Sequence, residues 1–329
     1  MKRLLALVAA SLALFAAAVA PVGAQPAAPA APPAPAKAEP IRYALEGEGL
    51  TLNVVDVSPR FLAFWEAARG EADADRRFAL WQRHYGFAAV PPGPRGQAIA
   101  RQLLDAAWPK YEAALPMLRQ GSRGLRVDAV DIAERVAAVL KPDGPVSIRM
   151  VTYVGGFEDN AFTYGDNGVS VINVPIEISP DAGAAIFAHE MTHAVHMVVG
   201  RLSGGWERSI GATILQEGLA VHVAREVVPG RALAHYIEHY PGWLAEVEAK
   251  RGAILAGLKP HLGAADGETV FRFTMGEGAT GSEREAYYAG FAVVQHLRDR
   301  GMTLAQIARI PEADMPEVVE RAITEMTAG

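Results

Sequence analysis

Residues 189 to 196 read His189-Glu190-Met191-Thr192-His193-Ala194-Val195-His196 and contain the pattern HExxH. On a helix, His189 and His193 stand four residues apart, so both imidazoles project from one face. Two such nitrogens can hold one zinc ion. Glu190, one step round the helix, can reach a water on that ion and serve as its base. Ser179-Pro180-Asp181 offers a helix start and Gly200 a stop. A catalytic zinc site usually takes three protein ligands plus water. The long form HExxHxxGxxH would need Gly at 196 and His at 199, where the chain has His196 and Val199. The third ligand must therefore come from a second helix.

Thr213 to Glu226 reads TILQEGLAVHVARE, an apolar pattern of helical period. Glu217 is the candidate third ligand, with Glu207 and Glu226 as the alternatives. Gly200, Gly204 and Gly205 suit a reversal between two antiparallel helices, and Gly218 and Ala220 would let those helices pack closely. His196 is seven residues past His189 and shares its face, where it could touch substrate or serve as a packing residue. His222, five residues past Glu217, points elsewhere on its helix. Tyr287 and Tyr288 precede Gly290 at the start of a helix expected over Glu285 to Arg300. Tyr287 joins the apolar side of Phe291, Val294 and Leu297, so Tyr288 is the phenol expected at the site, where it would stabilise an oxyanion.

HExxH followed by a helical glutamate 24 residues after the second histidine resembles the gluzincin group of zinc metallopeptidases. The segments AHEMTHAVH, LQEGLAVHVA and AYYAGFAVVQHL are similar to the DUF2268 family of predicted zinc-dependent proteases, over roughly residues 150–310. The resemblance implies His189, His193 and Glu217 as ligands of Zn2+ and Glu190 as general base. Many gluzincins carry an Asp four residues after the ligand Glu, where it orients a ligand His. Here that position is Val221, so another acid must do this work or the ligands are held less firmly.

The elements that position these residues come from the rest of the chain. Of its 329 residues 50% are hydrophobic and 21% charged, too apolar for a disordered chain and too charged for a polytopic membrane protein. A net charge of −6 argues against nucleic acid as a partner. With no cysteine, disulfides, thiolate nucleophiles and cysteine metal sites are excluded. Met1-Lys2-Arg3, the apolar run Leu4 to Ala20 and the small residues before Gln25 are laid out as a signal peptide, 1–24. Its removal would leave no stable membrane insertion. Residues 25–40, rich in Pro and Ala, read as an extended tether.

Residues 41–329 read as a single α+β metallopeptidase domain, mainly helical and zincin-like, with a small, mostly antiparallel sheet preceding the HExxH helix. Residues 41–145 are expected to form an N-terminal helical subdomain and 146–329 the zinc-site subdomain. Ile41 to Val57 opens the domain with strand-like residues, and Ser58-Pro59 starts a helix with Ser as its cap. An aromatic stripe from Phe61 to Tyr85 reads as core. Further helices are expected over about 95–118, with a possible kink at Pro109, and over 127–140. Strands are expected over Val146 to Val154, Asn160 to Tyr164 and Gly168 to Glu177, with a hairpin at Asp166-Asn167-Gly168. If the strand Val169 to Val174 is a sheet edge, it can pair with an extended peptide. The expectation is an exported, periplasmic or secreted, zinc peptidase acting on a peptide or protein substrate. The alternative is a non-catalytic zinc-stabilised binding domain of the cell envelope, with His196 or His222 as a fourth ligand.

Overall fold

The structure, a computed structural model, describes residues 37–90, 93–205 and 208–328. The expected signal peptide and residues 25–36 of the tether lie outside the described residues. The last tether residues rest on the domain: Lys37 Nζ donates to Tyr85 O at 2.8 Å, and Arg60 Nε donates to Ala38 O at 3.0 Å.

The fold is mixed α/β. Strands β1 (Ile41–Gly47) and β2 (Leu50–Asp56) form a hairpin. Helices α1 (Ser58–Ala68), α2 (Ala74–His84), α3 (Pro94–Leu118) and α4 (Ala129–Leu140) follow, then β3 (Val146–Tyr153), β4 (Phe162–Asp166) and β5 (Val169–Pro175). The metal-motif helix is α5 (Gly183–Gly200), and α6 (Ile210–Val227) is its partner. The C-terminal part adds α7 (Ala234–Ile237), α8 (Trp243–Ala249), α9 (Arg251–Leu258), α10 (Gly267–Thr274), α11 (Glu285–Asp299), α12 (Leu304–Ile307) and α13 (Met315–Thr327). Helix α3 runs unbroken past Pro109. Ser58 is not a side-chain cap: Val57 takes the cap position, and Asp56 Oδ1 accepts from Ser58 N at 2.9 Å. No helix among the described residues is long and apolar enough to cross a membrane.

The sheet order is β1-β2-β3-β5-β4. The outer pairs, β1 with β2 and β4 with β5, are antiparallel, and the inner pairs β2–β3 and β3–β5 are parallel. The sheet is thus mixed, with two antiparallel and two parallel pairs. The reason is the long α1–α4 crossover, which brings the chain back to start β3 in the direction of β2. The Asn167-Gly168 turn closes the β4–β5 hairpin as expected, both residues having positive φ (49° and 79°). The sheet also joins what the sequence divided. Strands β1 and β2 belong to it, and α4 shares a core with α5.

Alternation on the strands sorts the core into two clusters. Leu50, Leu52 and Val54 of β2, with Ile148 and Met150 of β3, face α4, α5 and the C-terminal helices. On the other face, Tyr153 and Val154 at the end of β3 meet an aromatic cluster of Phe61, Phe64, Trp65, Trp81 and Tyr85 from α1 and α2, with Tyr111 from α3. The aromatic stripe is core.

Two constraints fix α5 and α6. The connection from β5 into α5 carries Glu177, whose Oε1 accepts from Gly155 N at 2.7 Å while its buried Oε2 has no partner. Helix α6 is pressed onto α11 at two glycines. A Cβ at Gly218 would lie 2.1 Å from Gly290 O, and one at Gly290 would lie 2.4 Å from Ile214 O.

Gly218→Ala is expected to lower stability by about 1–3 kcal/mol, because backbone on α11 would have to move. Gly252→Ala, in open space on α9, should leave stability unchanged or raise it by up to about 1 kcal/mol. Urea denaturation of the two variants checks both.

Burial, partly offset by backbone hydrogen bonds, raises the Glu177 carboxyl from 4.5 to about 7. The native chain then holds a proton that the unfolded chain releases, so this residue makes stability fall as pH rises from about 4.5 to 7. Relative to wild type, Glu177→Gln should gain stability across that window, on the order of 3 kcal/mol at most. Paired denaturation curves at pH 5 and pH 8 read the difference.

Candidate metal centre

His189 and His193 project from α5 toward α6, where Glu217 stands almost wholly buried, 4% exposed. Residues Ile210 to Ala224 of α6 are all buried, so the helix needs no polar face and Glu217 has no route to solvent. Three ligand-type atoms converge. His189 Nε2 lies 3.1 Å from His193 Nε2 and 3.2 Å from Glu217 Oε2, and His193 Nε2 lies 3.4 Å from the same oxygen. Ligands at roughly 2.0–2.1 Å from a tetrahedral zinc ion are about 3.3–3.4 Å apart, so these residues fit the ion. Glu190 also brings a carboxylate oxygen within 4.8 Å of both imidazole ligand atoms. The backbone carbonyl of Glu190 accepts from Thr163 Oγ1 at 3.0 Å, which ties α5 to β4.

The second oxygen of Glu217 belongs to Arg208. Arg208 Nη2 donates to Glu217 Oε1 at 2.8 Å, Nη1 donates to Gln216 Oε1 at 2.9 Å, and Nε donates to Thr213 Oγ1 at 3.3 Å. This fork leaves Oε2 to face the imidazoles. Burial opposes charge on Glu217, yet His193, the hydrogen bonds of both imidazoles and Arg208 outweigh it and hold the carboxyl well below its usual range. Burial likewise opposes charge on His189, and the Glu217 hydrogen bond with the Glu190 and Glu217 charges overcomes it and raises that imidazole. Position 221, where an acid would orient a ligand His, is a buried core valine. The charge set against the ligands is Arg208, a cation on the carboxylate ligand rather than an acid on a histidine.

Of the alternative ligands, Glu226 pairs with Arg298 at 3.3 Å near the C-terminal end of α6, and Glu207 lies outside the described residues. His196 is fully buried, with a Cβ at Gly200 falling 3.2 Å from its ring. Neither of its nitrogens makes a well-formed hydrogen bond, the nearest backbone partner being at Ala308, and burial pushes it down to about 3. His222 stacks on Phe291, with Nε2 3.1 Å from Phe291 O and Nδ1 3.3 Å from Arg298 Nη1. Burial pushes it down to about 4. Neither histidine joins the cluster. A surface cleft of about 310 Å3, lined by His222, Arg225 and Arg298 among others, lies toward the other end of α6 and includes none of the clustered residues.

The two tyrosines differ in what surrounds them. Tyr288 is 3% exposed in the core, where Arg251 and Glu248 are its charged neighbours. Tyr287 is the phenol on the site side: burial and then the charge of Glu217 raise it, and Arg284 stands 3.8 Å over its ring. The side of α11 formed by Tyr287, Phe291, Val294 and Leu297 is expected from its spacing to turn into the core. It is in fact the side pressed against α6, and α6 carries the site. The condition set for strand pairing at Val169–Val174 is not met. The Val169–Val174 strand is interior, between β3 and β4, and β4 is the edge next to α5. Arg208 and Arg284 went unremarked in the sequence, because a lone arginine in a loop carries no spacing signal.

An HExxH helix facing a buried glutamate on the next helix, with a second carboxylate beside the cluster, is a group of side chains that could hold a divalent metal ion. Residues 167–316 match the family DUF2268, described as a predicted Zn-dependent protease. No curated protein matches the chain at a significant level. The family description suggests a zinc-dependent protease, and the matched segment contains His189, Glu190, His193 and Glu217.

Arg208→Gln is expected to weaken zinc binding about 10–100-fold in competition with a chromophoric chelator, since it frees the ligand carboxylate to turn. Arg208→Lys keeps the charge but not the fork and should recover little of the loss.

Proposed function

We propose that the protein is an exported zinc-dependent peptidase with a gluzincin arrangement on a zincin-like scaffold. The observation that carries this reading is the convergence of His189, His193 and Glu217 within 3.1–3.4 Å of one another, with the Glu190 carboxylate beside them. His189 and His193 from α5 and Glu217 from α6 would hold the ion. Zinc bound there would polarise a scissile carbonyl and bring the pKa of a bound water toward 7. Glu190, one step round α5 from His189, takes the proton of the attacking water and delivers it to the leaving amine. Tyr287 aims its hydroxyl to the side where the carbonyl oxygen gains charge, a contact stronger in the transition state than in the ground state.

A peptide or protein as substrate is supported by the strand edge. Gly165 N donates outward to Gly204 O at 3.0 Å rather than to β5. Two residues earlier, Thr163 therefore presents its backbone groups outward in the same way. Its side chain is the one bonded to the Glu190 carbonyl, so an extended peptide pairing there lies beside the base. Export rests on residues 1–24, and the net charge of −6 favours no nucleic-acid partner. The non-catalytic reading needs a fourth protein ligand, and both candidates, His196 and His222, are turned to other neighbours.

Metal analysis with a peptide-library digest tests the proposal. One zinc per chain is expected, lost in His189→Ala and Glu217→Gln. Glu190→Gln should keep the metal and lose at least about 100-fold in kcat. Tyr287→Phe should lower kcat by roughly 10²–10³ with unchanged metal, and Tyr288→Phe should spare kcat. A wild-type chain that binds zinc and cleaves nothing would return the protein to the binding class.

A further inference from the structure

Arg284 lies on the site side of α11 and pairs with no carboxylate among the described residues. Its guanidinium carbon stands 3.8 Å over the Tyr287 ring, and its charge is felt at His189, Tyr287 and His239. Its Nε is buried without a hydrogen bond. Two glutamates flank it in sequence, and both are committed elsewhere. Glu283 Oε2 lies 2.9 Å from His239 Nε2. Glu285, fully buried, accepts from Ala279 N, Thr280 N and Thr280 Oγ1 at 2.6–2.8 Å.

The segment that presents Arg284 is held on both sides. Gly278 N donates to Ser282 O at 2.8 Å, and Trp243 Nε1 donates to Glu283 O at 2.8 Å. Arg284 itself sits in the left-handed region, φ 57°, as the residue before α11. That conformation is uncommon for a residue with a side chain and is kept only where the surroundings enforce it. A half-buried guanidinium without a counter-charge is unfavourable by itself, and one held in a fixed orientation is a seat for an anion. The ring beneath it fixes its plane, so its edge can take a carboxylate through two parallel N–H···O bonds.

Resting on the peptidase reading, we propose that Arg284 binds a carboxylate of the substrate near the scissile bond, so the protein selects peptides bearing negative charge there. A peptide has two sources of that group: its free C-terminus and an Asp or Glu side chain.

The test uses the full chain loaded with zinc and carrying Glu190→Gln, so that peptides bind without turnover. Isothermal titration compares an N-acetylated tetra-alanine as free acid, as C-terminal amide, and as amide with Glu at each position in turn. One of the charged peptides should bind about 10–100-fold more tightly than the neutral amide. Preference for the free acid identifies the terminus as the source, and preference for a Glu amide identifies the side chain. Adding Arg284→Gln should abolish the preference and leave the neutral amide's affinity unchanged. If that variant melts early, Arg284→Lys, which should keep part of the preference, carries the comparison. Equal affinity for charged and neutral peptides, or a preference that survives Arg284→Gln, overturns the proposal. If the wild-type chain cleaves a mixed library without charge preference, Arg284 alone is misassigned. If it neither binds nor cleaves any peptide, the peptidase reading falls as well.

Discussion

A buried carboxylate governs the architecture of this chain. Glu217 is placed in the middle of a helix that is buried all round, and an ionised group there is tolerated only when opposite charge or hydrogen-bond donors reach it. Arg208 meets one oxygen, and the two imidazoles of α5 crowd the other. Those contacts dictate how near α5 must come to α6. The very next residue, Gly218, lets α11 touch α6 backbone to backbone, and that contact in turn sets Tyr287 beside the carboxylate. The polar centre and the tight apolar packing are thus one arrangement, since the helices can close around the charge only where they carry no Cβ.

The parts of this arrangement that are local in sequence were legible. Two histidines four apart, a glutamate on a following apolar helix and an Asn-Gly turn each report a backbone period or a dihedral requirement, and the structure places each in the element expected. Helix α3 and the aromatic core were likewise read from a 3.6-residue recurrence. What was not legible depends on which face meets which partner. The apolar stripe on α11 was visible, but a stripe states only that something covers it. The helix that covers it is the one bearing Glu217, which puts Tyr287 rather than Tyr288 on that side.

Strand direction was hidden for a related reason. A period of two identifies β3 and β5 without recording whether the neighbour runs up or down, and β2 is separated from β3 by the whole of α1 to α4. The edge was hidden with it: the hairpin turn fixes β4 against β5 but says nothing of which one then joins β3. The two arginines are the hardest case. Arg208 lies in the connection before α6 and Arg284 at the start of α11, and neither has meaning until three-dimensional proximity shows which acids surround it. Arg208 is bonded to Glu217 some nine residues on, whereas Arg284 has glutamates on both sides and pairs with neither.

The loop carrying Gly204 crosses the outer side of β4 so closely that a Cβ at Gly204 would lie 2.8 Å from Gly165 Cα. An open strand edge is a hazard in a concentrated compartment, because identical sheets can join edge to edge and grow into fibrils. Here the Gly165 amide is already occupied from within the same molecule. A second copy of the sheet finds too short a run of unpaired backbone to add a strand and propagate. The crossing loop therefore caps the Gly165 end of this edge and shortens the run of backbone that a second sheet could use there.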